Sequence, residues 1–237
     1  MNHVSHSVPA KKLTQRGEKT RSQLLEAAEV VFGEVGFEHA SISEITKRAG
    51  VALGTFYIYF PHKQAVFIQL VDELGARLRA ALGSKVKASA TRIEMERSGF
   101  KAFFEFASKH RNLYRIVRQA EFVDVDVYHR YYRSLASAYA KGLSRAMEQG
   151  EIGDFDPEVM AWALMGIADF LGMRFVIWDS PEHLDRVVDE VMEFIGRGLL
   201  SADRLKKPRP STALGMSGGT AAGPSGGTAA GPGGAKK

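Results

Sequence analysis

Residues 41–63 read SISEITKRAGVALGTFYIYFPHK, two short helix-forming runs joined by a glycine. Ser41-Ile42-Ser43-Glu44 has the spacing of a capping box, with Ser41 placed to accept from the third helical N–H and Glu44 to reach back. That spacing predicts a helix to about Ala49, and Gly50 suits the left-handed position that ends it. A further helix starts near Ala52 and stops before Pro61, because a residue preceding proline is pushed out of the helical region. Two such helices about a tight turn have the layout of a helix-turn-helix. In the second helix Phe56 and Phe60, at i and i+4, can pack inward with Ile45 and Phe32. The remaining face carries Leu53, Gly54, Thr55, Tyr57 and Tyr59. Gly54 near the helix start allows close approach to a duplex, and threonine and tyrosine hydroxyls can bond phosphate or base edges. The same residues could merely cap and pack a small bundle. Tyr57 and Tyr59 on the outward side, beside Lys47 and Lys63, favour the nucleic-acid reading.

Outward from this unit the periodicity is helical almost throughout. Leu24, Ala28, Val31, Phe32 and Val35 recur at helical spacing, and Gly36 follows as a stop. A fourth helix carries Val66, Phe67, Leu70, Val71, Leu74 and Leu78. Helical stretches follow around 98–110, 111–121 and 126–148. Asp156-Pro157 and Ser180-Pro181 each place a capping side chain before a proline suited to the first helical position, opening segments to about Trp178 and Arg197. No alternating run of Val, Ile and Thr suggests a sheet, so the expected fold class is all-α. The expected organisation is a flexible basic arm at 1–18, a helix-turn-helix domain at 19–64, a helical effector-binding and dimerisation domain at 65–200, and a disordered Gly/Ala/Pro-rich tail at 201–237. In the tail SGGTAAGP at 217–224 recurs at 225–232, and such a segment cannot bury enough apolar surface to offset ordering entropy.

The net charge of +5 is misleading as a nucleic-acid signal. Residues 1–63 carry eight Lys/Arg against six Asp/Glu, 64–200 carry eighteen against twenty, and 201–237 carry six against one, so the excess belongs to the tail. The useful asymmetry is local: Lys11, Lys12, Arg16, Lys19 and Arg21 stand against Glu18 alone. Such an arm could contact phosphates or simply be solvated. Cysteine is absent, which removes disulfides and thiolate chemistry. The N-terminus lacks the apolar core of a secretory signal, and a cytoplasmic protein is expected. No H-E-x-x-H, P-loop or dinucleotide-binding motif occurs, and the histidines do not cluster outside His3 and His6. Neither an enzyme nor a metal or other cofactor is expected.

Residues 20–67, TRSQLLEAAEVVFGEVGFEHASISEITKRAGVALGTFYIYFPHKQAVF, resemble the N-terminal domain of the TetR (TetR/AcrR) family of transcriptional regulators along their whole length. AGV, GTFYIYF and the following Lys63 are the most specific part. The resemblance implies a homodimer that binds a pseudo-palindromic operator in double-stranded DNA, most simply as a repressor released by a small-molecule effector. It places Ser41 and Ser43 near the backbone, Leu53, Gly54 and Thr55 at base edges, and Tyr57, Tyr59 and Lys63 on phosphates. Arg21 and Lys47 complete the expected DNA-binding set. Ala52 and Leu53 offer no amide or charge, so base readout is expected to lean on methyl contacts and DNA shape. The alternatives are a non-specific architectural DNA-binding protein and a TetR-like activator.

Beyond the first third only helical architecture is shared with that family. Residues 157–178 are apolar nearly all round, which demands burial on every face. A membrane span competes, but Asp169 and Arg174 interrupt it and no membrane partner is expected. One side is expected against the body and the other against a second subunit, with Leu164, Leu171, Phe175, Val187, Val191 and Phe194 at the dimer interface. Aromatic density in the body suggests an apolar pocket with a few polar groups. The expected effector contacts are Phe103, Phe106, Tyr114, Arg118, Phe122, Tyr128, Tyr132, Trp162, Met165 and Asp169. Arg111, Arg115 and Arg118 recur along one helical edge. They read either as a solvated face paired with Glu121, Asp124 and Asp126, or as a site for an anionic head group such as that of an acyl-CoA. The expected effector is an acyl-CoA or another apolar or aromatic ligand, expected to act through the fourth helix that abuts the recognition helix.

Overall fold

A computed structural model describes residues 14–85, 90–179 and 183–199. Lys11, Lys12, the Ser180-Pro181 cap and the repeat tail lie outside them. The described residues form helices α1 (Gln15–His39), α2 (Ile42–Ala49), α3 (Leu53–Tyr59), α4 (Lys63–Ser84), α5 (Arg92–Lys109), α6 (Asn112–Val123), α7 (Val125–Glu148), α8 (Pro157–Gly172), which runs on as a π-helical turn over Met173–Trp178, and α9 (Leu184–Leu199). No strand occurs among the described residues, so the chain is all-α.

The first helix begins earlier than its apolar periodicity indicates. Thr14 accepts from the Gly17 N–H, so Arg16, Lys19 and Arg21 belong to helix α1. Gly36 does not end this helix. It sits at φ 80°, ψ 166° and kinks it, and one more turn follows to His39. That backbone region is open to glycine alone. Ser41 caps α2 by accepting from Glu44 N–H at 3.1 Å, but Glu44 does not reach back; its carboxylate lies 3.8 Å from Arg48. The full reciprocal capping box is instead at Thr91 and Glu94, opening α5. Asp156 caps α8 through the N–H groups of Glu158 and Val159, with Pro157 at the first position as expected.

Two apolar clusters divide the body. The first joins α1, α2, α3, α4 and α6, with Phe106 of α5 and Val127 and Tyr131 of α7, around Phe32, Ile45, Phe56, Phe60 and Phe67. The second joins α5, α7, α8 and α9 around Phe100, Phe104, Leu143, Leu164 and Val176. Helix α6 touches both: Ile116 and Ala120 lie in the first cluster and Tyr114 in the second. Its opposite edge lies on α1. Asn112 packs where a Cβ on Gly33 would be, Arg115 donates to Gly33 O at 2.7 Å, and Gln119 Oε1 accepts the Phe37 N–H freed by the kink. Gly36→Ala should therefore cost roughly 1–3 kcal/mol, because alanine is excluded from that φ/ψ region. Urea unfolding of the purified chain checks this, and an unchanged midpoint would mean the kink bears no strain.

Candidate nucleic-acid interface and cavity

The helix-turn-helix presents one continuous outward face. The αL Gly50 (φ 70°) turns the chain between α2 and α3, and burial of Phe56 and Phe60 beside Ile45 fixes which side of α3 looks out. Leu53 and Tyr57 are half exposed, at i and i+4, with Gly54 and Lys47 beside them in solvent. A Cβ on Gly54 would meet nothing within 4 Å, so its surface is open to another molecule. Ser43 is exposed, Thr55 is half-buried, and Tyr59 packs against the core with only part of its ring outside. Ile58 is 74% exposed on this face. The sequence reading missed it, although its i+4 relation to Gly54 places it there.

Two of the expected DNA contacts are engaged elsewhere. Lys63 Nζ donates to the carbonyls of Phe37, Glu38 and Ala40 at 2.7, 3.2 and 3.0 Å and lies 4.5 Å from the Phe37 ring centroid. An ammonium has three N–H bonds, and here each has a carbonyl within the protein, so Lys63 closes the C-terminal end of α1 rather than holding a phosphate. Arg21 lies 3.9 Å from Glu73 on α4, in a chain of ion pairs that continues through Arg77 to Glu29, which also contacts His110. It braces α1 against the body.

The second site is a cavity of about 780 Å³ walled by α4, α5, α6, α7 and α8. It gathers seven of the ten expected effector residues: Phe103, Tyr114, Arg118, Tyr132, Trp162, Met165 and Asp169. The other three lie outside it. Phe106 faces the α1/α4 core and stacks on His110. Phe122 is 88% exposed at the end of α6. Tyr128 leans on Tyr132 from outside the lining. Aromatic density marks the region correctly but cannot phase each helix. Along α7 and its C-cap the wall runs from Tyr131 to Gln149, about 27 Å at the α-helical rise.

Its most buried polar feature was not anticipated. Arg92 and Glu96, at i and i+4 on α5, form an ion pair with side chains 9% and 2% exposed, and Tyr139 donates to the same carboxylate. Burial beside Glu96 raises the Tyr139 phenol well above its ordinary value. The signal available in sequence was the charge pair on an otherwise apolar helix face. At the other end Tyr114 OH donates to Asp169 O at 3.0 Å. This approach requires Gly172, where a Cβ would lie 2.4 Å from the hydroxyl. Burial pushes the Asp169 carboxyl above the usual aspartate range, an effect that Arg118 and Tyr114 offset only in part.

The arginine edge of α6 is exposed, as a solvated face would be, but no ion pair joins it to Glu121, Asp124 or Asp126 among the described residues. Arg111 donates to Ile177 O, Arg115 to Gly33 O and Arg118 to Met173 Sδ, three separate struts. The dimerisation set also needs correction. Leu164, Val187 and Val191 are buried within their own subunit, Leu171 and Phe175 are half-buried, and only Phe194 is well exposed, at 71%. A helix apolar on all sides gives no phase, and the outward stripe of α8 is Val159, Ala163 and Phe170, next to a groove shared with Phe194 and Gly198 of α9. Pro157–Trp178 is long and apolar enough to cross a membrane, with 28% of its most apolar stretch buried.

Residues 24–70 match the family model for bacterial regulatory proteins of the tetR family. The fatty acid metabolism regulator protein of Bacillus subtilis is 26% identical over 186 residues, covering 75% of this chain and 94% of that protein. Among solved structures, a TetR-like transcriptional regulator from a Rhodococcus species is 25% identical with a TM-score of 0.62, covering 76% of this chain and 94% of its own. The Bacillus subtilis regulator FadR in complex with stearoyl-CoA is 24% identical with a TM-score of 0.66, covering 76% and 98%. Lys63→Met, which keeps the stem and removes the donor, should destabilise the chain by roughly 1–3 kcal/mol through three orphaned carbonyls. Denaturant titration reads this directly, and weakened DNA binding at unchanged stability would return Lys63 to the phosphate backbone.

Proposed function

Because this chain belongs to the tetR family of bacterial regulatory proteins, we propose that it is a cytoplasmic, homodimeric repressor that leaves its operator when a small molecule fills the cavity behind α6. The observation that carries the DNA half is the outward face of α3. Leu53, Gly54, Tyr57 and Ile58 form an exposed, largely apolar ridge on a short helix whose other side is locked by Phe56 and Phe60. A soluble monomer gains nothing from such a ridge, whereas apolar contacts with thymine methyl groups use it directly. Ser43 and Lys47 flank it with polar groups suited to the backbone. The dimer is supported by the unburied stripe of Val159, Ala163, Phe170 and Phe194, which a second copy covers across a two-fold axis. Two recognition helices then stand about one duplex turn apart, roughly 34–36 Å.

Release follows from the two faces of α6. Tyr114, Val117 and Arg118 line the cavity, and Asn112, Arg115 and Gln119 hold α1. A ligand that displaces α6 carries α1 with it, and α4 follows through Lys63, so the separation of the two recognition helices changes. The expected route through α4 alone thus becomes a route through α6 and α1 together. The cavity's length and apolar wall suit an elongated, mostly apolar effector. A long-chain acyl-CoA is the second reading, favoured by the structural likeness to the stearoyl-CoA-bound regulator.

Tyr57→Ala and Leu53→Asp should each weaken binding to a fragment selected from random-sequence DNA by about tenfold or more, with helicity unchanged. Fluorescence anisotropy at fixed salt, with circular dichroism alongside, makes the comparison. Unchanged affinity in both variants would remove α3 from the interface.

A further inference from the structure

The effector cavity is not uniformly apolar, and its two acidic ends differ. Glu96 is satisfied by Arg92 and Tyr139, and Glu151 accepts the Arg92 backbone N–H. Asp169 forms no ion pair among the described residues. Arg118, which lines the same cavity, favours the Asp169 charge without pairing with it; it is exposed and donates to Met173 Sδ. Around Asp169 the cavity wall is aromatic. Phe103 and Tyr114 lie 6.5 Å apart, Tyr131 and Tyr132 5.1 Å, and Tyr132 and Trp162 6.2 Å, centroid to centroid. Asp169 lines the same cavity as these rings, and the Tyr114 hydroxyl donates to its carbonyl oxygen. Beyond them the wall turns to Leu78, Leu82, Met95, Phe100 and Leu135.

The chemistry of an occupant follows from this arrangement. A hydrocarbon segment laid over Asp169 strips water from a carboxylate and returns no partner, which is costly. At Asp169 an anionic group meets like charge, although Arg79, Arg92, Arg118 and Arg145 also line the cavity, Arg92 paired with Glu96 and Arg79 bonded to Ser134 Oγ. A cation completes a counter-charge that Arg118 supplies only in part, and it is drawn to the ring faces as well. Resting on the reading of this cavity as the effector site, we propose that its Asp169 end is a recognition subsite for a positively charged nitrogen, carried by a ligand whose apolar remainder lies along α5 and α7.

The test uses the full chain and three probes of one chain length, decyltrimethylammonium, decanol and decanoate, each below its micelle threshold, together with stearoyl-CoA. Calorimetry measures binding, and anisotropy of a selected DNA fragment measures release. The ammonium should bind about tenfold or more tighter than decanol, as a desolvated ion pair with added ring contacts implies, and decanoate should bind weakest. In Asp169→Asn, which keeps the shape and removes the charge, the preference for ammonium over decanol should fall to about unity. The preference in the unaltered chain needs no variant, so a poorly folded Asp169→Asn does not blunt the test. Equal binding of ammonium and decanol, or tighter binding of decanoate or stearoyl-CoA, overturns the cation subsite and leaves the effector reading standing if the bound probe releases DNA. Failure of every probe to bind overturns both.

Discussion

The break at Gly36 is the constraint on which the two halves of this molecule depend. A helix that kinks leaves backbone groups without intrahelical partners, and buried ones must be satisfied elsewhere. Here the freed Phe37 N–H goes to Gln119 on α6, and the carbonyls of residues 37, 38 and 40 go to Lys63 at the start of α4. One local feature of α1 thereby ties the DNA-facing helices to both elements that reach the body. Arg115 to Gly33 O and Asn112 against the Gly33 backbone extend the same seam. Because Gly33 has no side chain, α6 sits close enough to α1 for its movement to be passed on rather than absorbed.

The ligand side is built on different terms. The cavity holds a buried Arg92–Glu96 pair whose charges are mutually compensated and a half-buried Asp169 whose charge Arg118 and Tyr114 offset only in part. The compensated pair positions the α5 wall at modest net gain, since desolvation offsets most of the attraction. Burial makes the ionised Asp169 carboxylate costly, and a cationic occupant of the proposed subsite would offset that cost. The helix that carries Asp169 also carries the exposed stripe of Val159, Ala163 and Phe170, so the cavity wall and the proposed subunit contact share one helix.

Much of the fold was legible in the sequence because its signals are local. Asp156-Pro157 announces α8, Gly50 announces the turn, and the spacing of Phe56 and Phe60 sets the buried side of α3. What could not be read depends on phase and on distant partners. An all-apolar segment such as 157–178 has no polar side to orient it, so Leu164 was placed at the dimer interface although it is buried at home. Lys63 was read as a phosphate contact because nothing in its neighbourhood shows that three carbonyls of another helix converge on it. Phe106 and Phe122 were grouped with the cavity by composition, yet one faces the first core and the other faces water. The Arg92–Glu96–Tyr139 network joins residues more than forty positions apart, a relation that no local pattern encodes.

The central claim is that two copies of this chain read a two-fold site with their α3 helices. Footprinting the full chain on DNA upstream of its own gene, against a scrambled fragment at equal salt, tests it most directly. The account predicts two protected half-sites about 34–36 Å apart, centre to centre, on the natural fragment and far weaker binding to the scrambled one. Even protection along both fragments at similar affinity would contradict it and make the chain a non-specific binder.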